Sequence, residues 1–418
     1  MAQARKPGTG GVIDLWKRSD GTPSKLATKA WAEGKGKPQG IGSRWRGWYV
    51  GDDGKMRTKR FRTEVQAEAW VQKQRSKVHT NTWVDPSAAQ EAFRAVAEQW
   101  YATKGHRKPK TLASYRSLLD TLVLPQWGDR PLSDITYPAY ATWLSQLSVD
   151  GSQAGRALSA SRITQAHQLV GAVLKFAQRS GKMAKNVAAE IDRKTDLPEA
   201  GESERHYLGH TELQQLARHT GRFETLTLVL GYCGLRFGEV IALRRKHVRD
   251  GKLTIRASAT RVTGRGTVET STKTGKAREV PVPESVWERL NAELPSGPDE
   301  LVFPSRNGGY LSLGEYRWVF DRAVETMRSK TAAKRQREID GTGGATTREF
   351  PTITPHELRH TCASLAISSG ANVKVVQRLL GHATASMTLD RYGHLMSDDL
   401  DRVAKALGDA ARAAAVGR

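Results

Sequence analysis

Two short segments near the start of the chain alternate between apolar and polar residues, which is typical of half-buried β-strands. They are residues 44–50 (RWRGWYV) and 56–62 (MRTKRFR), and the GDDG sequence between them is typical of a hairpin turn. Residues 63–77 follow with a helical pattern, and Thr63 is suited to cap the first turn of that helix. We therefore predict that residues 1–85 form an N-terminal domain with a three-stranded sheet and one helix. The residues that we predict for its core are Trp48, Phe61, Val65 and Trp70.

Apolar residues in the middle of the chain recur at every third or fourth position, which predicts α-helices. Residues 111–127 (TLASYRSLLDTLVLPQW) show this spacing, and three further segments of the region 88–186 are also predicted to be helical. The segment 79–90 is typical of a linker, because it contains Asn, Asp, Pro and Ser. We predict that residues 88–186 form a second, all-helical domain.

The last part of the chain, residues 205–418, combines helical patterns with short strand-like segments. The polar stretch 192–206, which contains Pro and Gly, separates it from the helical region. The strand-like segments are residues 252–258, 267–272 and 278–283, and an Ala-rich tail is predicted to form a final helix. The chain as a whole is therefore predicted to be a multidomain, mainly α protein with small β-sheets, whose third domain is mixed α/β and carries a C-terminal tail.

Basic residues exceed acidic residues by a wide margin. The 418 residues include 66 Lys and Arg against 43 Asp and Glu, a net charge of +23, and the first 85 residues hold 18 basic against 8 acidic residues. Such an excess predicts a polyanionic partner, and basic side chains on neighbouring strands favour a DNA groove over a merely solvated charged face. The residues predicted to bind DNA are Arg44, Arg46, Arg57, Lys59, Arg60 and Arg62 of the sheet, and Arg107, Lys108 and Lys110 of a loop between helices.

Other features of the composition narrow the class of protein. No apolar segment approaches the roughly 18 residues that a membrane-spanning helix needs, and the N-terminus lacks the apolar core of a signal peptide. The two cysteines, Cys233 and Cys362, are too few for a disulfide framework or a Cys-rich zinc site. We therefore expect a cytoplasmic protein without a membrane partner.

The sequence HELRH, which begins at His356, is typical of zinc proteases when it lies on a helix. His356 and His360 would lie about 40° apart on the helix, but Arg359 would lie about 60° from His356 and would repel a divalent cation. Glu357 also has another role available, because Thr354 and Glu357 form the pattern of a capping box. The other interpretations are a phosphate site, with His356 and Arg359 projecting from the first helical turn, or an ordinary capped surface helix.

Three further segments carry residues suited to phosphate chemistry. In GLRFGE, Arg236 and Glu239 are neighbours on a helix, so the carboxylate can orient the guanidinium. In TKTGKAREVP, Lys273 lies in a turn between two strands. In LLGHATASMTLDRY, His382 precedes Tyr392. Considered one at a time, each has a simpler interpretation. Arg236 and Glu239 could form a surface ion pair, and Lys273 could lie in an ordinary polar turn. His382 could cap a helix, and Tyr392 could be an interface residue.

Together these segments resemble the catalytic signature of the tyrosine recombinases, the phage and plasmid integrases. GLRFGE, TKTGKAREVP, HELRHTCAS and LLGHATASMTLDRY stand in the order and at the spacing of this family across most of residues 205–400. The basic N-terminal region is similar to the arm-site DNA-binding domain of such integrases, and the helical middle resembles their core-binding domain. The resemblance implies six catalytic residues, namely Arg236, Lys273, His356, Arg359, His382 and Tyr392.

The resemblance also implies a mechanism. Tyr392 would attack a DNA phosphodiester to give a 3′-phosphotyrosyl link and a free 5′-hydroxyl, and His356 would accept or return the tyrosine proton. The two arginines would neutralise the charge of the pentavalent state, His382 would donate a hydrogen bond to the phosphate, and Lys273 would protonate the leaving 5′ oxygen. No cofactor or metal is required, because the arginines supply the positive charge and the covalent bond conserves the energy of the bond that breaks. The implied partners are double-stranded DNA with core-type and arm-type attachment sites, further copies of the chain in a homotetramer on DNA, an excisionase and a DNA-bending host factor.

Several alternatives stay open at the level of sequence. Lys276 competes with Lys273, and Tyr232, Tyr310 and Tyr316 compete with Tyr392 as nucleophiles, although packing explains these three tyrosines more simply. The predicted function is that of a site-specific recombinase that integrates a phage or mobile element through a Holliday junction. The alternatives are a type IB topoisomerase, a non-catalytic DNA-binding regulator and a zinc metalloprotease, and the basic N-terminal domain favours integration among them.

Overall fold

The structure of the chain is a computed structural model, which describes residues 6–34, 37, 39–80, 82–151, 154–199, 201, 206–272, 275, 277–396 and 399–416. Its contacts divide the chain into two compact units. The first unit contains residues 1–107 and 111–201, and the second contains residues 108–110 and 202–418. The N-terminal sheet and the helical region thus belong to the same unit, and the three domain boundaries drawn from the sequence stay a prediction.

A small antiparallel sheet and a helix form the N-terminal part of the first unit, as predicted. The elements are β1 (Gly10–Asp14), α1 (Lys29–Ala32), β2 (Trp45–Val50), β3 (Met56–Phe61) and α2 (Glu64–His79). Strand β2 lies in the centre and pairs with both β1 and β3. The predicted hairpin turn is closed by a hydrogen bond from Gly51 N to Lys55 O, and the hydroxyl of Thr63 caps α2 by accepting from the backbone N–H of Gln66.

Helix α2 packs on the face of the sheet to which Gly47 points. A Cβ atom at residue 47 would lie only 2.9 Å from the ring of Trp70 and 3.0 Å from Val71, so glycine lets the helix approach the strand closely. Tyr49 lies on the same face of β2, because alternate residues of a strand share a face, and its ring contacts Trp70 edge-on at 5.3 Å between centroids.

The core of this N-terminal part differs from the prediction at two positions. Phe61 and Trp70 do pack together, with ring centroids 5.6 Å apart. Val65, however, is 75% exposed, because it lies on the side of α2 opposite to the buried Ala67. Trp48 is half-buried on the sheet face that points away from α2, since it is adjacent to Tyr49 in the same strand.

The segment after α2 belongs to the N-terminal fold, although its composition is typical of a linker. The indole N–H of Trp83 donates to the hydroxyl of Tyr49 over 3.2 Å, and Asp85 forms an ion pair with Arg57 at 2.7 Å. Arg57 also pairs with Asp53 at 2.8 Å, and its guanidinium lies 4.7 Å from the centroid of the Trp83 ring. The chain therefore leaves this sheet later than its polar composition indicates.

Helices form the rest of the first unit, as predicted. They are α3 (Phe93–Ala102), α4 (Pro109–Leu118, of which residues 111–118 belong to this unit), α5 (Leu124–Trp127), α6 (Tyr137–Asp150) and α7 (Ala160–Arg179). A π-helical turn, Leu119–Val123, joins α4 to α5, so the helix predicted over 111–127 is continuous but irregular. The hydrophobic core of these helices continues to Leu197, beyond the predicted end of the helical domain at residue 186.

A buried histidine should make this helical core sensitive to acid. His167 of α7 is 5% exposed, and its Nδ1 lies 3.1 Å from the hydroxyl of Tyr140. Burial, and then the positive charge of Arg193, lower the pKa of His167 below its ordinary value. The unfolded chain therefore binds the proton more tightly, so this contribution to stability is complete above about pH 6.5 and is lost as the pH falls below that value.

We expect the hydrogen exchange of α6 and α7, corrected for intrinsic rates, to be faster at about pH 5.5 than at about pH 7.5. The variant His167→Gln should lose most of this difference, and an unchanged difference in the variant would contradict the role of His167.

The second unit combines helices with two small sheets. Its first helices are α8 (His210–His219), α9 (Glu224–Cys233) and α10 (Phe237–Val240). The strands are β4 (Val248–Arg249), β5 (Lys252–Ile255), β6 (Ala257–Val262), β7 (Gly266–Ser271) and β8 (Arg278–Pro281). The later helices are α11 (Glu284–Ala292), α12 (Leu313–Thr342), α13 (Glu357–Ser368), α14 (Val373–Leu380), α15 (Ser386–Tyr392) and α16 (Asp399–Val416).

The strands of this unit occur where the sequence predicts them, but they form two sheets and not the one small sheet that was predicted. Strands β4, β5 and β8 form one sheet, whereas β6 and β7 form a separate antiparallel pair. The predicted strand 252–258 therefore divides between two sheets. The predicted fold class, mainly α with small antiparallel sheets, is confirmed. No helix within the described ranges is both long enough and apolar enough to cross a membrane.

Candidate active site

Arg236 is placed by a sharp turn between two helices. Gly234 ends α9 in the left-handed conformation with φ of 63°, and a Cβ atom there would also collide with Leu380 and Cys362. The chain then enters α10, and Nη1 of Arg236 donates to Oε1 of Glu239 over 2.8 Å. This confirms the pairing of Arg236 with Glu239 that the sequence predicts.

The carboxylate of Glu239 is buried and holds two guanidinium groups. It accepts from Arg236 and from Arg278 of β8, whose Nη1 and Nη2 lie 3.1 Å and 2.6 Å from the two carboxylate oxygens. Burial alone would raise the pKa of Glu239, but the hydrogen bond and charge of Arg278, followed by those of Arg236, lower it to about 2. The carboxylate is therefore ionised at neutral pH and holds Arg236 in one orientation.

Arg278 also reaches the segment that leads to His382. Its Nε donates to the carbonyl oxygen of Leu379 over 3.3 Å. Gly381 ends α14 with φ of 64°, and a Cβ atom there would lie 3.0 Å from Cδ of Arg278. Arg278 thus connects β8, the carboxylate of Glu239 and the turn before His382, which makes it a residue that positions its neighbours.

The HELRH sequence lies at the start of α13. The carboxylate of Glu357 accepts from the backbone N–H of Thr354 at 2.6 Å, which is one half of the predicted capping box, but the N-cap of α13 is His356 and not Thr354. The regular helix begins at Glu357, because the residues before it form a tighter turn in which Glu357 N bonds to Thr354 O. Leu358 is fully buried, whereas His356 stays exposed at the beginning of the helix.

Arg359 is 3% exposed, and two backbone carbonyls hold its guanidinium. Nη1 donates to Gly234 O at 2.6 Å, and Nη2 donates to Leu380 O at 2.5 Å. These bonds fix the guanidinium between the C-termini of α9 and α14. Burial, and then repulsion by Arg236, lower the pKa of Arg359 to about 9, which leaves it positively charged at neutral pH.

The two predicted histidines lie in a positively charged environment. Close packing, and then the charges of Arg359 and Arg391, lower the pKa of His356 below its ordinary value. Burial, and then the charge of Arg359, lower the pKa of His382 to about 4. Nδ1 of His382 lies 2.9 Å from the hydroxyl of Thr388, which orients the ring. Both histidines are therefore mainly neutral at pH 7.

Tyr392 is the last residue of α15, and none of its surface is exposed. Its hydroxyl lies 2.6 Å from Nδ1 of His360, the second histidine of HELRH. The ring of His360 lies edge-on to that of His356, with centroids 5.3 Å apart. Burial raises the pKa of Tyr392 to about 12 although the charge of Arg359 opposes this, so the hydroxyl is protonated at neutral pH.

The structure brings most of the predicted catalytic residues together. Those that interact in one site are Arg236, His356, Arg359, His382 and Tyr392. Lys273 and its rival Lys276 lie outside the described residues. Two residues of the site, His360 and Arg278, are absent from the sequence prediction. The available signals were the spacing of four residues between His356 and His360, which puts both on one helix face, and the position of Arg278 within TKTGKAREVP.

The three rival tyrosines each have a structural contact. Tyr316 is fully buried, and its hydroxyl lies 3.0 Å from that of Thr227. The hydroxyl of Tyr310 donates to Glu269 at 2.5 Å, and Tyr232 packs against the core of the second unit. These contacts agree with the interpretation of the three as packing residues.

Two of the residues predicted to bind DNA hold the N-terminal fold together. Arg44 forms an ion pair with Asp14 at 2.8 Å, and its guanidinium lies 5.0 Å from the centroid of the Trp45 ring. Arg57 is held by Asp53 and by the segment after α2. Their charges are largely neutralised within the sheet.

The other predicted cations are more available to a partner. Arg46 and Arg60 lie opposite each other on β2 and β3, and both point away from α2 because the adjacent Gly47 points toward it. Arg60 is exposed and Arg46 is half-buried. Also exposed are Lys59, Arg62, Arg107 and Lys110. Lys108 is exposed as well, but its ammonium donates to the carbonyl oxygens of Ser271 and Thr272 at 2.8 Å and 3.1 Å.

Among the described residues, no three or more His, Cys, Asp or Glu side chains converge in a way that could hold a metal ion. Within HELRH, Nδ1 of His360 contacts Tyr392, and the carboxylate of Glu357 caps the helix. The groups on which a zinc protease would depend are thus engaged in other contacts.

Comparisons with known proteins agree with this geometry. The model described as the phage integrase family matches residues 206–398, and the one described as the phage integrase central domain matches residues 93–194. A protein named as a prophage phiRv2 integrase in Mycobacterium tuberculosis is 28% identical over 84% of this chain and 88% of its own length. The Tn1549 transposon integrase in complex with transposon right end DNA has a TM-score of 0.59 and 20% identity, covering 75% of this chain and 100% of that chain. The lambda integrase tetramer bound to a Holliday junction has a TM-score of 0.50 and 20% identity, covering 81% of this chain and 93% of that chain.

The two family models together match most of the chain, from the start of α3 to beyond the end of α15. The resemblance carried by GLRFGE, TKTGKAREVP, HELRHTCAS and LLGHATASMTLDRY is thereby confirmed. The chain belongs to the phage integrase family, and its enzyme class is that of the tyrosine site-specific recombinases.

Proposed function

We propose that this protein cuts and rejoins DNA at attachment sites through a 3′-phosphotyrosyl intermediate on Tyr392, and that it integrates a phage or another mobile element through a Holliday junction. The observation that supports this best is that Arg236 and Arg359 share one site with Tyr392. Phosphoryl transfer depends on fixed positive groups beside the nucleophile, and these two guanidiniums are held rigidly by Glu239 and by backbone carbonyls.

The hydrogen bonds of the two arginines leave donors for a phosphate. A guanidinium has five N–H groups, and Arg359 uses two terminal nitrogens in its bonds to Gly234 and Leu380. The remaining N–H groups of Arg359, and those of Arg236 beyond its bond to Glu239, would bind the non-bridging oxygens of the phosphodiester. These contacts strengthen as negative charge builds up in the pentavalent state, which lowers the barrier to cleavage.

Two further residues complete the phosphate site in this proposal. Because Nδ1 of His382 is engaged with Thr388, its Nε2 is the nitrogen that would donate to a phosphate oxygen. Lys273 would protonate the 5′ oxygen as it leaves. The hydroxyl of Tyr392 must lose its proton during the attack, and the family resemblance implies His356 as the acceptor. Since Tyr392 is fully buried, a phosphodiester reaches it only after the packing around α15 rearranges.

The proposed partners are double-stranded DNA and further copies of the chain. Arg46 and Arg60 on the open face of the N-terminal sheet would contact arm-type sites, and the exposed cations around α4 would contact core-type sites. The lambda integrase, which shares the fold, forms a tetramer on a Holliday junction, and this supports a tetramer on DNA here. Leu407 of α16 is 66% exposed, which fits a contact with a second copy. The proposal also includes an excisionase and a DNA-bending host factor as accessory partners, and the bacterial cytoplasm as the location.

Trapping of a covalent adduct tests the proposed nucleophile. The core site is first obtained by selecting bound duplexes from a random-sequence pool, and a duplex with this site is nicked just beyond the scissile phosphate. We expect the wild-type protein to accumulate an adduct. Cleavage beside the nick releases a short strand that carries the free 5′-hydroxyl, and rejoining stops when this strand diffuses away. The variant Tyr392→Phe should form no adduct in denaturing gels, since it lacks the attacking oxygen.

Tyr310→Phe is the matched control, because it removes the same hydroxyl group from a rival tyrosine that contacts Glu269 and not the site, and it should form the adduct as the wild type does. An adduct that persists in Tyr392→Phe would overturn the assignment. An adduct on Tyr392 together with relaxation of supercoiled DNA, but without exchange between two sites, would instead favour a topoisomerase.

A further inference from the structure

His360 is the titratable side chain that directly contacts the nucleophilic oxygen. Its Nδ1 lies 2.6 Å from the hydroxyl of Tyr392, which is within the range of a short O–H to nitrogen hydrogen bond. The two rings also pack against each other, with centroids 5.7 Å apart. Because the hydroxyl is protonated at neutral pH, it needs a proton acceptor within hydrogen-bond reach, and Nδ1 of His360 is at that distance.

His356 is less suited to receive this proton. It faces Arg359, Arg391 and Arg236, whose positive charges oppose the protonation of its ring. It is also exposed, and its contact within the site is with the ring of His360, at 5.3 Å between centroids. The position next to Arg359 suits a neutral histidine that donates to the phosphate.

We infer that His360, and not His356, accepts the hydroxyl proton of Tyr392 during DNA cleavage and returns it during rejoining; this inference rests on the proposed function. In cleavage, the Tyr392 oxygen bonds to phosphorus, the bond from phosphorus to the 5′ oxygen breaks, and the proton moves to Nδ1 of His360. The departing 5′ oxygen takes its proton from Lys273. In rejoining, the incoming 5′-hydroxyl attacks phosphorus and gives its proton to the lysine. The bond from phosphorus to the Tyr392 oxygen breaks, and His360 returns a proton to that oxygen.

The variant His360→Asn keeps a hydrogen-bond acceptor beside the Tyr392 hydroxyl but removes the base at this position. The Asn side-chain oxygen can occupy the place of Nδ1 and still accept from Tyr392, but an amide does not take up a proton. We expect the single-turnover rate of adduct formation on the nicked core-site duplex to fall by roughly 100-fold or more. His219→Asn, an exposed histidine at the C-terminus of α8, is the matched control and should cleave at the wild-type rate.

A fluorinated tyrosine at position 392 distinguishes proton transfer from mere support of the fold. Ring fluorines lower the pKa of the phenol, so the analogue depends less on a base to lose its proton. We expect trifluorotyrosine at position 392 to raise the cleavage rate of His360→Asn at least about tenfold, because the step that the base assists becomes easier. The same analogue should not restore the rate of His356→Asn.

Each result supports or overturns the inference. The inference is overturned if His360→Asn cleaves at the wild-type rate or faster. It is also overturned if trifluorotyrosine fails to raise the rate of a slow His360→Asn, or if it raises the rate of His356→Asn instead. A mobility shift on the uncut duplex checks that the variant is folded, and His360→Gln serves as the second variant if His360→Asn does not bind. Tyr392→Phe distinguishes a failure of the proposed function from a failure of the inference about His360. An adduct in that variant would reject the proposed nucleophile whatever His360 does.

Discussion

Replacing Glu239 by Gln is expected to destabilise the second unit by roughly 3 kcal/mol. The substitution keeps the shape of the side chain but removes the charge that two guanidiniums share. Removing one partner of a buried ion pair typically costs about 3–5 kcal/mol, because the opposite charge stays buried without compensation. We expect the lower end of that range, since Arg236 and Arg278 keep 27% and 13% of their side chains exposed. Urea unfolding, followed by hydrogen exchange of α9 and α13, measures the change.

The control for this prediction is Glu279→Gln. Glu279 is 66% exposed and lies 3.9 Å from Lys252, so its loss should change the stability by less than about 0.5 kcal/mol. The pH dependence offers a second check. The pKa of Glu239 is lowered to about 2 in the folded state from an ordinary 4.5, so its contribution is complete above about pH 4.5 and is lost as the pH falls toward 2. Equal stabilities of Glu239→Gln and Glu279→Gln would contradict the role of the buried carboxylate.

Replacing Arg359 by Lys is expected to lower the rate of DNA cleavage by roughly a hundredfold to a thousandfold. Lysine keeps the positive charge but lacks the planar fork that bonds Gly234 O and Leu380 O and that, in the proposed function, also binds a phosphate. One buried carbonyl would lose its partner, which costs about 1–3 kcal/mol of stability, and the charge would move away from the phosphate. Single-turnover adduct formation on the nicked core-site duplex measures the rate, and unfolding in urea measures the stability.

Arg337→Lys is the matched control, because Arg337 is exposed on α12. It should leave both the cleavage rate and the stability at the wild-type level. Cleavage by Arg359→Lys within a few-fold of the wild-type rate would show that Arg359 acts as a simple positive charge and that its hydrogen-bond geometry is not required.

Local pattern was sufficient for the elements of the fold, because strands and helices follow from short-range alternation and from capping residues. Thr63 caps α2 as the sequence indicates, and Glu357 makes the predicted bond with the backbone N–H of Thr354. The pattern failed where contacts were distant along the chain. Trp83 and Asp85 attach a polar segment to the first sheet through Tyr49 and Arg57, and composition alone indicates a linker there.

For the site, the sequence and the tertiary structure contributed different residues. The four separated motifs identified the cations and the tyrosine, because residue types and their order are visible in one dimension. His360 looked like a possible metal ligand or a surface residue, and its contact with Tyr392 depends on how α13 and α15 pack. Arg278 looked like part of a strand, and its role depends on the turn at Gly381.

The sequence by itself determined the family, the residue types of the proposed phosphate site and the excess of positive charge. Only the tertiary structure decided which charges are available, because Arg44 and Arg57 are neutralised by nearby carboxylates whereas Arg46 and Arg60 face outward. It also decided which histidine contacts Tyr392, the proposed nucleophile. The physical reason is that a pKa, an ion pair and a proton path depend on distances of a few ångströms between segments that lie far apart along the chain.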